Sequence, residues 1–226
     1  MNLHAHYDAL HAAALPPLRQ GRAAPDLLLD SPHDTRRGVT LLARPSAAIA
    51  AHIGEVLAEF QQVAPEQYYY PASDLHLTIL SIISCYAGFT LPDIDPTPYA
   101  ELVAAALRGA APFRIRLAGL AASPAGVLVR GFPEGNGLAP LRDELRRVFR
   151  ASGLQQSIDQ RYSIQTAHCT VLRFRGPLPD ADPLLRVLAA YRAYPFGTLE
   201  VHDLELVFND WYQRAAHTVL LKKYQL

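Results

Sequence analysis

Two stretches of this chain repeat one pattern: DLHLTILSI at residues 74–82 and TAHCTVLRF at residues 166–174. Each carries His-x-Thr followed by two aliphatics, once as His76, Thr78, Ile79 and Leu80 and again as His168, Thr170, Val171 and Leu172. Both read as strands, and side chains on a strand alternate faces. His76 and Thr78 then share one face, with Leu77 and Ile79 on the other; His168 and Thr170 pair likewise, with Cys169 and Val171 opposite. The fold must therefore accommodate the same strand twice, polar on one side and apolar on the other. In a chain with nine His and nine Thr, His-x-Thr is expected by chance about 0.4 times, and roughly 0.04 times once two aliphatics must follow.

The surrounding chain supports a duplication. Leu3, Tyr7, Leu10 and Ala14 recur at helical spacing, so residues 2–15 read as a short helix stopped by Pro16 and Pro17. Residues 16–37, rich in Pro, Asp and Arg, read as an irregular surface arm. GVTLLA (38–43) is a strand. Ser46 then caps a helix whose stripe is Ile49, Ile53, Val56, Leu57 and Phe60. QYYYPASD is a turn, and LHLTILSII (75–83) the first motif strand. Residues 88–98 form a loop before a helix over Tyr99 to Leu107. Residues 113–123 and 127–132 make a hairpin, and residues 138–153 an amphipathic helix along Leu138, Leu141, Leu145, Val148 and Phe149. The second motif strand, a helix over 183–194 and two closing strands complete the chain. Each half runs strand, helix, motif strand, with no linker between them. The expectation is α+β architecture: two related lobes of mostly antiparallel sheet, with outer helices, around a central groove. Residues 1–37 form a helix and arm, and residues 38–226 one bilobal domain.

An imidazole gives or takes a proton near neutral pH, and a neighbouring hydroxyl donates to a phosphoryl oxygen. One motif is half of an acid–base pair. Two motifs facing each other across a groove complete it: one histidine deprotonates the attacking oxygen and the other protonates the departing one. This arrangement requires no metal or other cofactor.

On these two motifs, HLTIL and HCTVL, the chain resembles the 2H phosphoesterase superfamily, which includes 2′-5′ RNA ligase-like proteins and cyclic nucleotide phosphodiesterases. The resemblance runs from about residue 38 to the end. It implies a bilobal fold and metal-independent chemistry on 2′,3′-cyclic phosphates or 2′-5′ phosphodiesters of nucleotides or RNA ends. It implies His76 and His168 as the acid–base pair and Thr78 and Thr170 as the phosphate-holding hydroxyls. A module that binds nucleotides or RNA ends without turning them over is the alternative on the same scaffold.

Other residues are weighed beside these. Tyr68, Tyr69 and Tyr70 precede the first motif strand and offer stacking for a nucleobase, Tyr70 being carried as a candidate substrate contact, against plain packing of the turn. Arg44 and Arg130 are candidates for a phosphate contact. Strict alternation turns Arg173 and Arg175 away from His168, unless a bulge intervenes. Trp211 and Tyr212 lie either at the groove rim or at an exposed hairpin tip. His4, His6, His11, His33 and Asp34 match no standard zinc spacing. Cys169, adjacent to His168 on a strand, points away from it and is no nucleophile.

Composition limits the partners. Twenty-one Lys and Arg balance twenty-one Asp and Glu, with no basic run, unlike a protein that grips long nucleic acid through many phosphates. Two cysteines make no disulfide framework, which points to a reduced, cytoplasmic setting. No apolar run approaches the roughly 20 residues that span a bilayer. No signal peptide or obligate protein partner is read, and the richness in Ala, Arg, Leu and Pro suggests a bacterial genome of high GC content.

Overall fold

The computed structural model describes residues 2–161 and 163–226. Helix α1 (Leu3–Arg19) is capped by Asn2, whose side chain accepts from Ala5 N at 3.2 Å. It runs through Pro16 and Pro17, where the sequence suggested a stop. Proline forfeits a helical hydrogen bond, but Leu18 in that last turn is fully buried in the main core, and Gln20 N and Gly21 N bond back to Pro17 O and Leu18 O. Tertiary burial outweighs the local penalty. The arm after it is pinned: Ala24 N donates to Pro124 O, Leu178 N to Gly21 O, and Arg36 pairs with Asp26 and Asp34.

The first lobe begins with β1 (Arg36–Ala43) and α2 (Ala47–Val63). Ser46 accepts from Ile49 N at 3.3 Å, and the buried stripe is the expected Ile49, Ile53, Val56, Leu57 and Phe60. Burying each of these is worth about 1.5–3 kcal/mol before entropy is counted. Then come β2 (Tyr68–Tyr69), a turn of 3₁₀ helix (Ala72–Asp74) and β3 (Leu77–Ala87). The expected tyrosine turn is thus partly a strand, and it belongs to the other lobe's sheet. Helix α3 (Pro96–Ala106) starts earlier than expected, because Asp95 caps it and Pro96 occupies the first helical position, where the missing amide costs nothing.

The second lobe contains β4 (Phe113–Ser123), β5 (Gly126–Glu134), α4 (Leu138–Ala151), β6 (Cys169–Arg173), α5 (Asp182–Ala190) and β7 (Pro195–Val201). Strands β8 (Asp203–Asp210) and β9 (Val219–Gln225) return to the first. The sheets order β3-β1-β8-β9 and β2-β6-β5-β4-β7 with antiparallel neighbours. The duplication is visible in this topology. In β1–α2–β3 and again in β5–α4–β6, the motif strand lies antiparallel to the strand that precedes the helix. Gly126 and Gly131 let β5 approach closely; a Cβ would strike Leu172 O at the first and Ala167 O at the second.

Neither motif strand alternates simply. Against β1, the register of β3 skips Ile82 between Val39 and Thr40 and Ile79 between Leu41 and Leu42. Each bulge adds a residue and reverses the parity. Thr78, Ser81 and Ser84 therefore share the cleft face, with buried aliphatic pairs between them. In β6 the register against β5 skips Val171, and the parity reverses there in the same way.

Candidate active site

The motif ends of β3 and β6 meet at a cleft of about 150 Å³ that His76, Thr78, His168 and Thr170 line together. His76 leaves the 3₁₀ turn with Nδ1 at 2.8 Å from Asp74 O. A carbonyl only accepts, so Nδ1 carries the proton and Nε2 keeps its lone pair. The turn is itself held, since the buried Asp74 carboxylate accepts from Ala215 N at 3.0 Å and Ser73 Oγ at 2.8 Å. His168 has Nδ1 at 3.0 Å from Thr166 Oγ1, a hydroxyl that can donate or accept and so permits either tautomer.

The bulge at Val171 brings Arg173 onto the cleft face beside Thr170, which corrects the expectation from strict alternation. The sequence held the signal: Val171 and Leu172 are two consecutive buried aliphatics, and both can face the core only if the parity breaks. Arg173 Nε donates to Tyr70 Oη at 2.9 Å. Among the described residues no carboxylate pairs with Arg173, so its terminal nitrogens are available for an anion. Tyr70, at 3 % exposure, is no platform for a base; it positions this guanidinium from behind.

Arg44 and Arg130 are not brought to the cleft. Arg44 pairs with Glu205 at 3.0 Å and donates to Ser73 O and Leu75 O, behind the turn that carries His76. Arg130 is buried, with Nε donating to Ala118 O and Nη2 to Arg192 O. Arg175 pairs with Asp30. Trp211 lines the cleft, whereas Tyr212 is fully buried beneath Arg36, Arg173 and Arg214. Cys169 faces the core, and burial pushes its thiol up to about 12.

One buried cation escaped the sequence reading. Arg142 of α4, 3 % exposed, donates from Nε to Ile79 O at 2.8 Å and from Nη2 to Thr78 O at 2.9 Å and Thr166 O at 2.7 Å. It ties β3 and the segment leading into β6 to one helix. Its helical position reads only as part of an amphipathic surface, because its partners lie far away in sequence.

Of the other histidines, His4 stacks on Phe132 at 4.2 Å and His11 Nδ1 accepts from Ala122 N at 3.1 Å. His6 lies with Tyr7 on the far side of His168. Among the described residues no three His, Cys, Asp or Glu side chains are grouped to hold a metal. Among them, too, no helix is long and apolar enough to cross a membrane.

Desolvation, helped by nearby Arg173, pushes both His76 and His168 down to about 4. The unfolded chain takes up these two protons near pH 6.5, so folding opposes protonation. Conformational stability is expected to hold above pH 6.5 and to fall between pH 6.5 and 4, by at most about 1.4 kcal/mol per pH unit for each imidazole. Urea titrations across that window check this. A His76→Gln or His168→Gln variant that kept the full slope would refute the assignment.

No protein-family model matches the chain, and no curated protein matches it in sequence. Solved structures share its fold. The TT0787 protein of Thermus thermophilus is 20 % identical with a TM-score of 0.57, over 84 % of this chain and 97 % of its own. E. coli LigT complexed with 3′-AMP is 17 % identical with a TM-score of 0.54, over 84 % and 98 %. A structure named as a phosphoesterase is 18 % identical with a TM-score of 0.51, over 84 % and 98 %. At these identities the likeness is one of fold: an α+β, LigT-like arrangement of two antiparallel sheets.

Proposed function

We propose that this chain is a 2H phosphoesterase that cleaves 2′,3′-cyclic phosphates or 2′-5′ phosphodiesters of nucleotides or short RNA by acid–base catalysis between two histidines. The observation that carries the reading is the convergence of both His-Thr pairs, with Arg173, which pairs with no carboxylate among the described residues, on one cleft. The LigT-like fold supports it, as does the occurrence of phosphoesterase and 3′-AMP-bound structures among its neighbours.

Thr78, Thr170 and Arg173 hold the non-bridging oxygens of the phosphodiester. His76, with Nε2 unprotonated, takes the proton of an attacking water as the new P–O bond forms. His168 enters protonated, its proton affinity raised by the bound phosphate charge, and delivers that proton to the ribose oxygen as the old P–O bond breaks. One water is consumed and a phosphomonoester results. Each proton transfer contributes about 10²–10⁴-fold.

The test is turnover of the four nucleoside 2′,3′-cyclic monophosphates and a 2′-5′-linked dinucleotide in excess EDTA. A phosphomonoester product is expected in chelator. Saturable binding of these compounds without product would favour a binding module instead, and product only on metal addition would overturn the mechanism.

A further inference from the structure

Two residues that line the cleft each carry a buried side-chain carbonyl oxygen that this chemistry does not use and that has no hydrogen-bond partner among the described residues. Asn209 of β8 is 1 % exposed, and its amide nitrogen donates to Asp210 O at 2.8 Å and Cys85 Sγ at 3.5 Å. These bonds orient the amide and leave Oδ1 without a partner among the described residues. Gln213 is 4 % exposed, and its Oε1 likewise has no partner among them. Gln213 also adopts φ +60, a left-handed conformation costly for a residue other than glycine, and such strain concentrates at functional sites. Buried polar atoms are nearly always paired, so each orphan calls for an explanation. Both residues line the cleft, together with Trp211 between them in the chain.

A bare carbonyl oxygen repels phosphate oxygens and attracts N–H groups. The phosphate belongs with the histidines, threonines and Arg173, so the acceptors serve another part of the substrate. Trp211 supplies a planar apolar surface beside them. Arg36, 4.9 Å from its ring, is committed to Asp26 and Asp34; Arg161, 4.6 Å from the ring, is exposed and has no ion pair among the described residues. We infer that Asn209 and Gln213 read the amino edge of a nucleobase seated against Trp211. Adenine, cytosine and guanine each present an exocyclic amino group. Uracil presents a single ring N–H between two carbonyls, which the two acceptors repel. The site therefore selects amino-bearing bases over uracil.

The inference rests on the phosphodiesterase reading for where the phosphate lies, but binding tests it without turnover. The 3′-monophosphates of adenosine, cytidine, guanosine and uridine are titrated calorimetrically into wild type and Gln213→Met, which keeps the side-chain length and removes the acceptor. Wild type is expected to bind the three amino-bearing nucleotides about tenfold or more tighter than the uridine nucleotide. Gln213→Met is expected to bring all four within about twofold, by loss of affinity for the amino-bearing nucleotides and a gain for the uridine nucleotide. Equal wild-type affinities, absent binding, or a uniform loss in Gln213→Met would overturn the inference. Should Gln213→Met fail to fold, the wild-type series decides alone. Base preference without hydrolysis would retain this site and remove the phosphodiesterase reading; hydrolysis without base preference would do the reverse.

Discussion

Substituting either motif histidine, as His76→Gln or His168→Gln, is expected to slow turnover of a 2′,3′-cyclic nucleotide by about 10²–10⁴-fold. The melting temperature should move by only a few degrees. Both imidazoles sit at the cleft surface and each spends only Nδ1 on the protein, on Asp74 O and Thr166 Oγ1. A glutamine fills much of the same space and retains a donor, but it cannot shuttle a proton. Because the two histidines act in one transition state, the double variant should be little slower than the worse single one. Steady-state rates, with circular dichroism on the same samples, check this. A single variant retaining more than about a tenth of wild-type activity would remove that histidine from the proton transfers.

Arg142→Met is expected to destabilise the fold by about 3 kcal/mol, a large share of the stability of a typical domain. The loss comes from three carbonyls, Thr78 O, Ile79 O and Thr166 O, left without their guanidinium donor, that of Ile79 in a buried setting. Relief of the buried charge, which desolvation already pushes down to about 10, offsets part of it. Arg142→Lys should recover little, because one ammonium cannot span three carbonyls on two separate segments. Activity should fall with stability, since the anchored carbonyls belong to Thr78 and to Thr166, the partner of His168. Denaturant midpoints for wild type and both variants measure the effect, and a loss below about 1 kcal/mol would refute this account.

The two kinds of site residue differ in how local their causes are. The four motif side chains, the α2 stripe and its Ser46 cap follow from spacing along one segment; the stripe and cap form as that spacing predicts, and the four side chains line one cleft. Arg44 and Arg130 were reasonable cations for a phosphate, yet Glu205 and the Ala118 and Arg192 carbonyls claim them, and nothing near them in sequence announces those partners. Tyr70 turned out to support Arg173 from behind.

By itself, then, the sequence determined that two His-x-Thr strands back onto an apolar core, and that two lobes of sheet and helix carry them. Periodicity and capping are properties of contiguous residues. Only the tertiary structure decided which cations join the histidines. Bulges in β3 and β6 depend on how each strand hydrogen-bonds to its neighbour, and they turn Ser81, Ser84 and Arg173 into the cleft. Arg142 binds β3 and the approach to β6 through backbone carbonyls, groups that every residue carries and that only packing brings within reach.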